Sequence, residues 1–201
     1  GSIGNVNVDY ITMYKADVPN PVTPKIELDS VTIEAEKLTL SRTESIGLNL
    51  SGKNTNGNVA DLSQATIEYV SSDNDVLTVN DGMITAHDPG IADIFVHVTL
   101  NGYTVTSNTL KVEVTTSMDT IHQLVSEYAK NGTIKHPLAS QLGNLLDQAK
   151  QHLDKGHKEQ AVKKLNHSLR AINNKAMDKY IEEDVKENLN TDLTALHDSL
   201  K

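Results

Sequence analysis

Residues 91–128 read IADIFVHVTLNGYTVTSNTLKVEVTTSMDTIHQLVSEY, and the period of the apolar residues changes inside this stretch. Ile94, Val96 and Val98 fall on one face of an alternating run, with Asp93, Phe95, His97 and Thr99 on the other. A period of two is that of a β-strand. Asn101-Gly102 sits between two such runs and predicts a two-residue hairpin, because Asn and Gly take up positive φ at low cost. From Ile121 the spacing changes: Leu124, Val125 and Tyr128 continue a stripe at three and four residues, the mark of an amphipathic helix. Ser117 or Asp119 can cap its start. The chain therefore divides near residue 116 into an all-β part and an all-α part.

Working back from the hairpin, short apolar runs recur at Ile26–Leu28, Val31–Ala35, Leu38–Leu40, Ser45–Leu50, Thr66–Ser71, Val76–Val79 and Met83–Ala86. Tyr103–Val114 reads as one further strand after Gly90–Leu100. Asn56-Gly57, Asn80-Asp81-Gly82 and Asp88-Pro89-Gly90 punctuate them. Short strands with a turn every 8–12 residues or so describe a β-sandwich. Upstream, NVNVDYITMYK (5–15) alternates as a strand and ADVPNPVTPK (16–25) has linker composition, with three prolines. Gly1 and Ser2 read as a cloning scar.

Working forward, Asn131-Gly132 ends the first helix, since glycine suits the left-handed residue past a helix terminus. Leu138, Leu142, Leu145, Leu146, Ala149 and Leu153 form the second stripe. Ala161, Leu165, Leu169 and Ile172 form the third, stopped or frayed by Asn173-Asn174. Val185, Leu189, Leu193, Leu196 and Leu200 form the fourth, beginning near Glu182. Short loops between four helices imply an up-and-down bundle. The expected order is residues 1–24 as scar, leftover strand and linker, 25–116 as an Ig-like β-sandwich, and 117–201 as a small four-helix bundle. The link Val112–Asp119 has no Gly or Pro, so a fixed interdomain angle is expected, held by packing around Phe95 or Tyr128.

Charge and composition exclude several functions. The net charge is −9, and all of it lies in residues 1–116, with 15 acidic against 6 basic residues. The remainder balances 12 against 12. An acidic β-part repels phosphate backbones, and the helices carry no basic stripe, so nucleic acid is a poor partner. Cysteine is absent, which removes thiolate catalysis, disulfides and thiolate metal sites. No apolar run is long enough to span a bilayer. With one Phe, six Tyr and no Trp, the chain is poor in flat rings for stacking on sugars.

No catalytic constellation emerges. Six of the eight histidines lie in the helical part, but no pair falls at the one-turn spacing of a metal site. His152 and His157 flank Gly156 and can approach one another. Glu182-Glu183-Asp184 reads as the acidic first turn of a helix rather than an acid–base pair. Asp73, Asp75 and Asp81 crowd the β-loops and are the candidate calcium ligands, although ordinary Asx-turns explain most of the aspartates there. Tyr128, Tyr180 and Phe95 are the candidate ligand-binding rings. No other cofactor is expected.

Within residues 67–102, Tyr69-Val70-Ser71-Ser72, Val76–Val79, Gly82–Ala86 and Gly90–Ile94 resemble the bacterial Ig-like group 2 family, with Tyr69 where Trp is commoner. Residues 118–200 resemble the FIMAH module through Leu124-Val125, Tyr128, Gly132, Ile134, Leu138–Leu142, Leu145, Ala149, Gly156, Ala161, Leu165 and Ile181. They depart from it at Met177-Asp178-Lys179-Tyr180, where that family usually has Gly-Lys. NVNVDYITMY is similar to the last strand of jelly-roll carbohydrate-binding domains.

These resemblances imply a non-catalytic accessory or spacer region at the C-terminus of a secreted Gram-positive carbohydrate-active enzyme. The implied parent is a glycosidase (hydrolase) or a polysaccharide lyase. They imply an extracellular or cell-surface location, with upstream catalytic and carbohydrate-binding domains as partners and no membrane insertion. The alternative is a glycan- or protein-binding module that attaches the parent to polysaccharide or cell wall.

Overall fold

The computed structural model describes residues 25–201. The strand expected at 5–15 and the linker after it lie outside the described residues. Among those described, nine strands in two sheets are followed by four α-helices and a 3-10 turn.

The first sheet runs β1 (Leu28–Ala35), β3 (Ser45–Asn54), β6 (Met83–Ala86) and β5 (Leu77–Asn80), all antiparallel. The second runs β2 (Thr39–Ser41), β9 (Leu110–Thr115), β7 (Gly90–Leu100) and β4 (Thr66–Ser71), with β8 (Tyr103–Thr106) also on β7. β2 pairs parallel to β9, and the other pairs are antiparallel. The inner faces share one core: Leu28, Val31, Ile33, Leu77 and Ile84 from the first sheet meet Leu40, Ile94, Val96, Val98 and Val112 from the second. Past an irregularity in β1 after Leu28, these residues sit at alternate strand positions, as a period of two demands.

The predicted two-residue turn at Asn101-Gly102 forms, and a second joins β5 to β6. Leu100 pairs with Tyr103 across Asn101 (φ 51°) and Gly102 (φ 83°). Asn80 pairs with Met83 across Asp81 (φ 48°) and Gly82 (φ 74°). Two consecutive positive φ values match the right-handed twist of the strands they join.

One expected strand is two. Tyr103–Val114 breaks at Ser107-Asn108 because those side chains bond to other strands. Val96 N–H donates to Ser107 Oγ at 2.9 Å. Asn108 Oδ1 accepts from Ile33 N–H at 2.8 Å, and its Nδ2 donates to Ile33 O at 3.1 Å. The Asn108 amide thus takes the place of a neighbouring strand on β1, which otherwise offers open backbone at a sheet edge.

The helices are α1 (Met118–Asn131), α2 (Leu138–Asp154), α3 (Lys158–Ile172) and α4 (Glu183–Ser199). Ser117 Oγ caps α1 by accepting from Thr120 N–H at 3.1 Å, and Gly132 (φ 83°) ends it. Glu183 and Asp184 fill the first turn of α4, where the helix dipole favours them. Met177–Tyr180 lies in the 3-10 turn Lys175–Tyr180, where Asn174 accepts from Ala176 N–H. Successive helices touch, and α1 also meets α4. Ile121, Leu138, Leu142, Leu146, Leu165, Ile172, Leu189 and Leu193 are the centre of their common core.

Candidate functional site

The expected ring-bearing residues do not converge. Tyr128 and Tyr180 are half-buried against the helical core. Tyr180 carries Lys179 Nζ 5.0 Å over its ring. Phe95 lies on the outer face of the second sheet, edge-on to His97 with ring centroids 5.3 Å apart. The polar joint between the β-domain and the helices is built around Arg42 instead, which corrects the expectation that Phe95 or Tyr128 holds the interdomain angle.

The aspartates are occupied locally. Asp73 Oδ1 accepts from Asp75 N–H at 3.0 Å, an Asx-turn. Asp81 sits in the β5–β6 turn at positive φ. Among the described residues, no group of three or more His, Cys, Asp or Glu is placed to hold a metal ion. His152 and His157 do approach, with ring centroids 6.1 Å apart, because His157 N–H bonds to His152 O around the loop.

Two regions absent from the sequence-based candidates carry organised polar groups. The first is an open groove between α1 and α2. His122 Nε2 and Asp147 Oδ1 bridge it at 2.9 Å, and Lys150 Nζ reaches Asp119 Oδ1 at 2.7 Å. The lysine's hydrogen bond holds the Asp119 carboxyl below its usual range, and Lys150 is raised in return. On one side of these pairs is a cleft of about 490 Å³ lined also by Gln123, Ser126 and Glu127. On the other is one of about 310 Å³, floored by Ala129, Ala139 and Gly143. Gly143 lies inside α2, and a Cβ added there meets nothing within 4 Å. Glycine in a helix interior costs roughly 0.5–1 kcal/mol relative to alanine. No packing demand offsets that cost here, and the missing side chain leaves the groove floor open.

The second region is the joint between the β-domain and α4. Arg42 sits in the β2–β3 turn, whose backbone is pinned by Arg42 N–H to Thr115 O and Thr43 N–H to Ala86 O. Its side chain is 8% exposed, and Nη1 contacts Asp88 Oδ1 at 2.6 Å and Asp192 Oδ2 at 2.8 Å. Asp192, on α4, is fully buried, and neither carboxylate oxygen has a well-aligned hydrogen bond. The nearby Thr116 hydroxyl is likewise buried without a well-aligned partner. Burial pushes Asp192 up to about 6 against the pull of Arg42 and of the nearby Thr116 hydroxyl, and Asp88 adds to the rise. A spacing signal was available for Asp192: it lies three residues after Leu189 and four before Leu196, on the apolar stripe of α4. Nothing local in the sequence marks Arg42.

Residues 118–198 match the family model of the FIMAH domain. A FIMAH-type helical module follows the β-domain. The match covers less than half of the chain. A search of curated proteins finds no match. Among solved structures, the chain is similar to domains 4 and 5 of the S-layer protein SbsC, at 13% identity over 46% of this chain and 53% of that one, with TM-score 0.34. It is also similar to the Yersinia pseudotuberculosis adhesin InvE, at 17% identity over 45% of this chain and 28% of that one, with TM-score 0.33. A third is the ZirS C-terminal domain, at 15% identity over 57% of this chain and 85% of that one, with TM-score 0.29. The chain spans about half the length of the first and under a third of the second. TM-scores this low establish neither fold nor function.

The solved structures matched are thus of an S-layer protein, an adhesin and the ZirS C-terminal domain, none of them named as an enzyme. The expected assignment to a glycosidase, hydrolase or other carbohydrate-active enzyme finds no support in any of the comparisons and is withdrawn. No helix among the described residues is long and apolar enough to cross a membrane.

Proposed function

We propose that this chain is a non-catalytic attachment region of an extracellular or cell-surface bacterial protein, and that the α1–α2 groove of its FIMAH-type module binds a cell-wall or surface glycan. On this reading residues 25–116 are an Ig-like domain of the bacterial group 2 kind. Residues 117–201 are an up-and-down four-helix bundle.

The observation that carries the reading is the open polar groove with Gly143 in its floor. Carboxylates, amides, hydroxyls and ammonium groups line it, which suits a ligand rich in hydroxyls. No Phe, Tyr or Trp is among the lining residues, so recognition rests on hydrogen bonds rather than stacking on a large ring, and single-site affinity is modest. The test is retention of the chain on purified cell wall and a glycan array, beside the double variant His122→Ala, Asp147→Asn. Saturable binding lost in that variant supports the groove. Binding that survives it, or no binding by the parent chain at high concentration, defeats it.

A spacer is the second reading, and the buried Arg42–Asp192 contact favours it. A spacer needs only a held angle and no ligand. Absence of binding together with common tumbling of the two parts favours that reading.

A further inference from the structure

We infer that the joint between the β-domain and α4 is a pH-responsive latch, in which uptake of a proton by Asp192 tightens docking of the helices on the β-domain. The geometry carries this. Asp192 is fully buried at the joint, and its partner Arg42 divides one nitrogen between two carboxylates. With both aspartates ionised, two negative charges share one guanidinium, and the deeper carboxylate has no aligned hydrogen bond. Desolvation of such a carboxylate outweighs its Coulomb gain. A proton on Asp192 removes the second charge and leaves Arg42 to Asp88.

Arg42 and Asp88 are the charged groups that face Asp192 from the β-domain. α1 and α3 bury Met118, Ile121 and Val125, and Ala161, Leu165, Ser168, Ala171 and Ile172, none of which titrates. Among the other titratable groups around the joint, Asp75 lines one cleft with Arg42, Asp88 and His87. His87 is bonded to Thr78, and His197 to Asp198. Glu113 lines a separate cleft with Ala195 and Ser199.

The direction follows from linkage. Asp192 holds its proton to about pH 6 when docked, whereas a solvated aspartate loses it near 3.8. The docked state therefore binds more protons between those values. Docking is strongest below the solvated value and weakens as pH rises through about 6. From pH 8 to pH 5 the docking constant gains roughly tenfold.

The experiment uses the whole chain and two readouts. NMR titration of the aspartate carboxyl carbons gives the Asp192 midpoint, expected near 6. Arg42→Met is expected to raise that midpoint and Asp88→Asn to lower it, because both act across the joint. Urea unfolding of the helices at pH 5 and pH 8 gives the second readout. The unfolding constant is expected to change about tenfold more in the parent chain than in Asp192→Asn. A midpoint near that of a free aspartate overturns the latch. So does a midpoint that neither β-domain substitution moves, or an identical pH dependence in the parent chain and Asp192→Asn. Asp88→Asn keeps the test open should Arg42→Met fail to fold.

Discussion

The joint at α4 and the groove between α1 and α2 are built from the same parts. Each has an aspartate against a basic side chain, 2.8 Å apart at the joint and 2.7 Å in the groove. Each has a glycine that the fold does not replace. Burial reverses the meaning of both. Asp119 stands 78% exposed, and its lysine pulls its carboxyl below the usual range. Asp192 is fully buried, and desolvation overrides its arginine and pushes the carboxyl up. Gly143 opens onto space, whereas a Cβ at Gly90 would lie 2.7 Å from Val76 Cγ2. Distance alone therefore does not say what an ion pair contributes. The solvent around it does.

The contrast breaks first at Arg42. Arg42→Met leaves Asp192 buried without its counter-charge, and removing one partner of a buried pair costs about 3–5 kcal/mol. The expected loss at pH 8, read by urea denaturation of the helices, lies in that range. It shrinks at pH 5, where a proton already neutralises part of the Asp192 population. An equal loss at both pH values means that Arg42 acts through packing alone.

Gly90→Ala comes next. Val76 is β-branched and buried, so its Cγ2 cannot swing aside freely. Overpacking of this kind costs about 1–3 kcal/mol. The expected outcome is a lower denaturation midpoint for the β-domain by near-UV circular dichroism. The glycine at the start of β7 thus has a physical cause: the strand starts too close to Val76 for any side chain.

What the sequence made readable was local. The Asn101-Gly102 hairpin, the Ser117 cap and the acidic first turn of α4 depend on residues a few positions apart, and each formed as expected. The change of period at residue 116 separated strands from helices because burial on one face imposes it. The break in Tyr103–Val114 was not legible, since Asn108 bonds to Ile33 from 75 positions away. Arg42 and Asp192 are 150 positions apart and meet only when α4 docks on the β2–β3 turn. The placement of the candidate rings was not legible for a related reason. Aromatic residues are read as binding surfaces, but Tyr128 and Tyr180 spend their area on the helical core. The groove residues have ordinary polar-face spacing, and their convergence belongs to the packing of α1 on α2.

Gly143→Ala sharpens the contrast from the other side. A Cβ there meets nothing, so the helix gains roughly 0.5–1 kcal/mol from reduced backbone freedom in the unfolded chain. Thermal denaturation of the helical part is expected at a slightly higher midpoint. If the groove binds glycan, the same methyl group narrows its floor, and retention on cell wall falls while stability rises. Stability and retention that rise together locate binding elsewhere.

Asp119→Asn is the smallest change and the closest control. It removes one member of an ion pair slightly shorter than that at the joint, yet water solvates both members. Exposed pairs gain little because solvent screens them and two long side chains lose freedom in holding one geometry. No resolvable shift in the urea midpoint is expected, at low salt or at high. Asp119 also lies in the first turn of α1, but Ser117 still caps the helix and satisfies Thr120 N–H. The carboxyl is held below its usual range, so any contribution is present at neutral pH and is lost only as pH falls through that depressed value. Asp192 works in the opposite sense, losing its contribution as pH rises through about 6. Urea midpoints collected from pH 3 to pH 8 for Asp119→Asn, set against the parent chain, test the opposition directly. A clear loss of stability at neutral pH would mean that the groove pair is held more rigidly than its exposure implies, and that burial is not what separates the two sites.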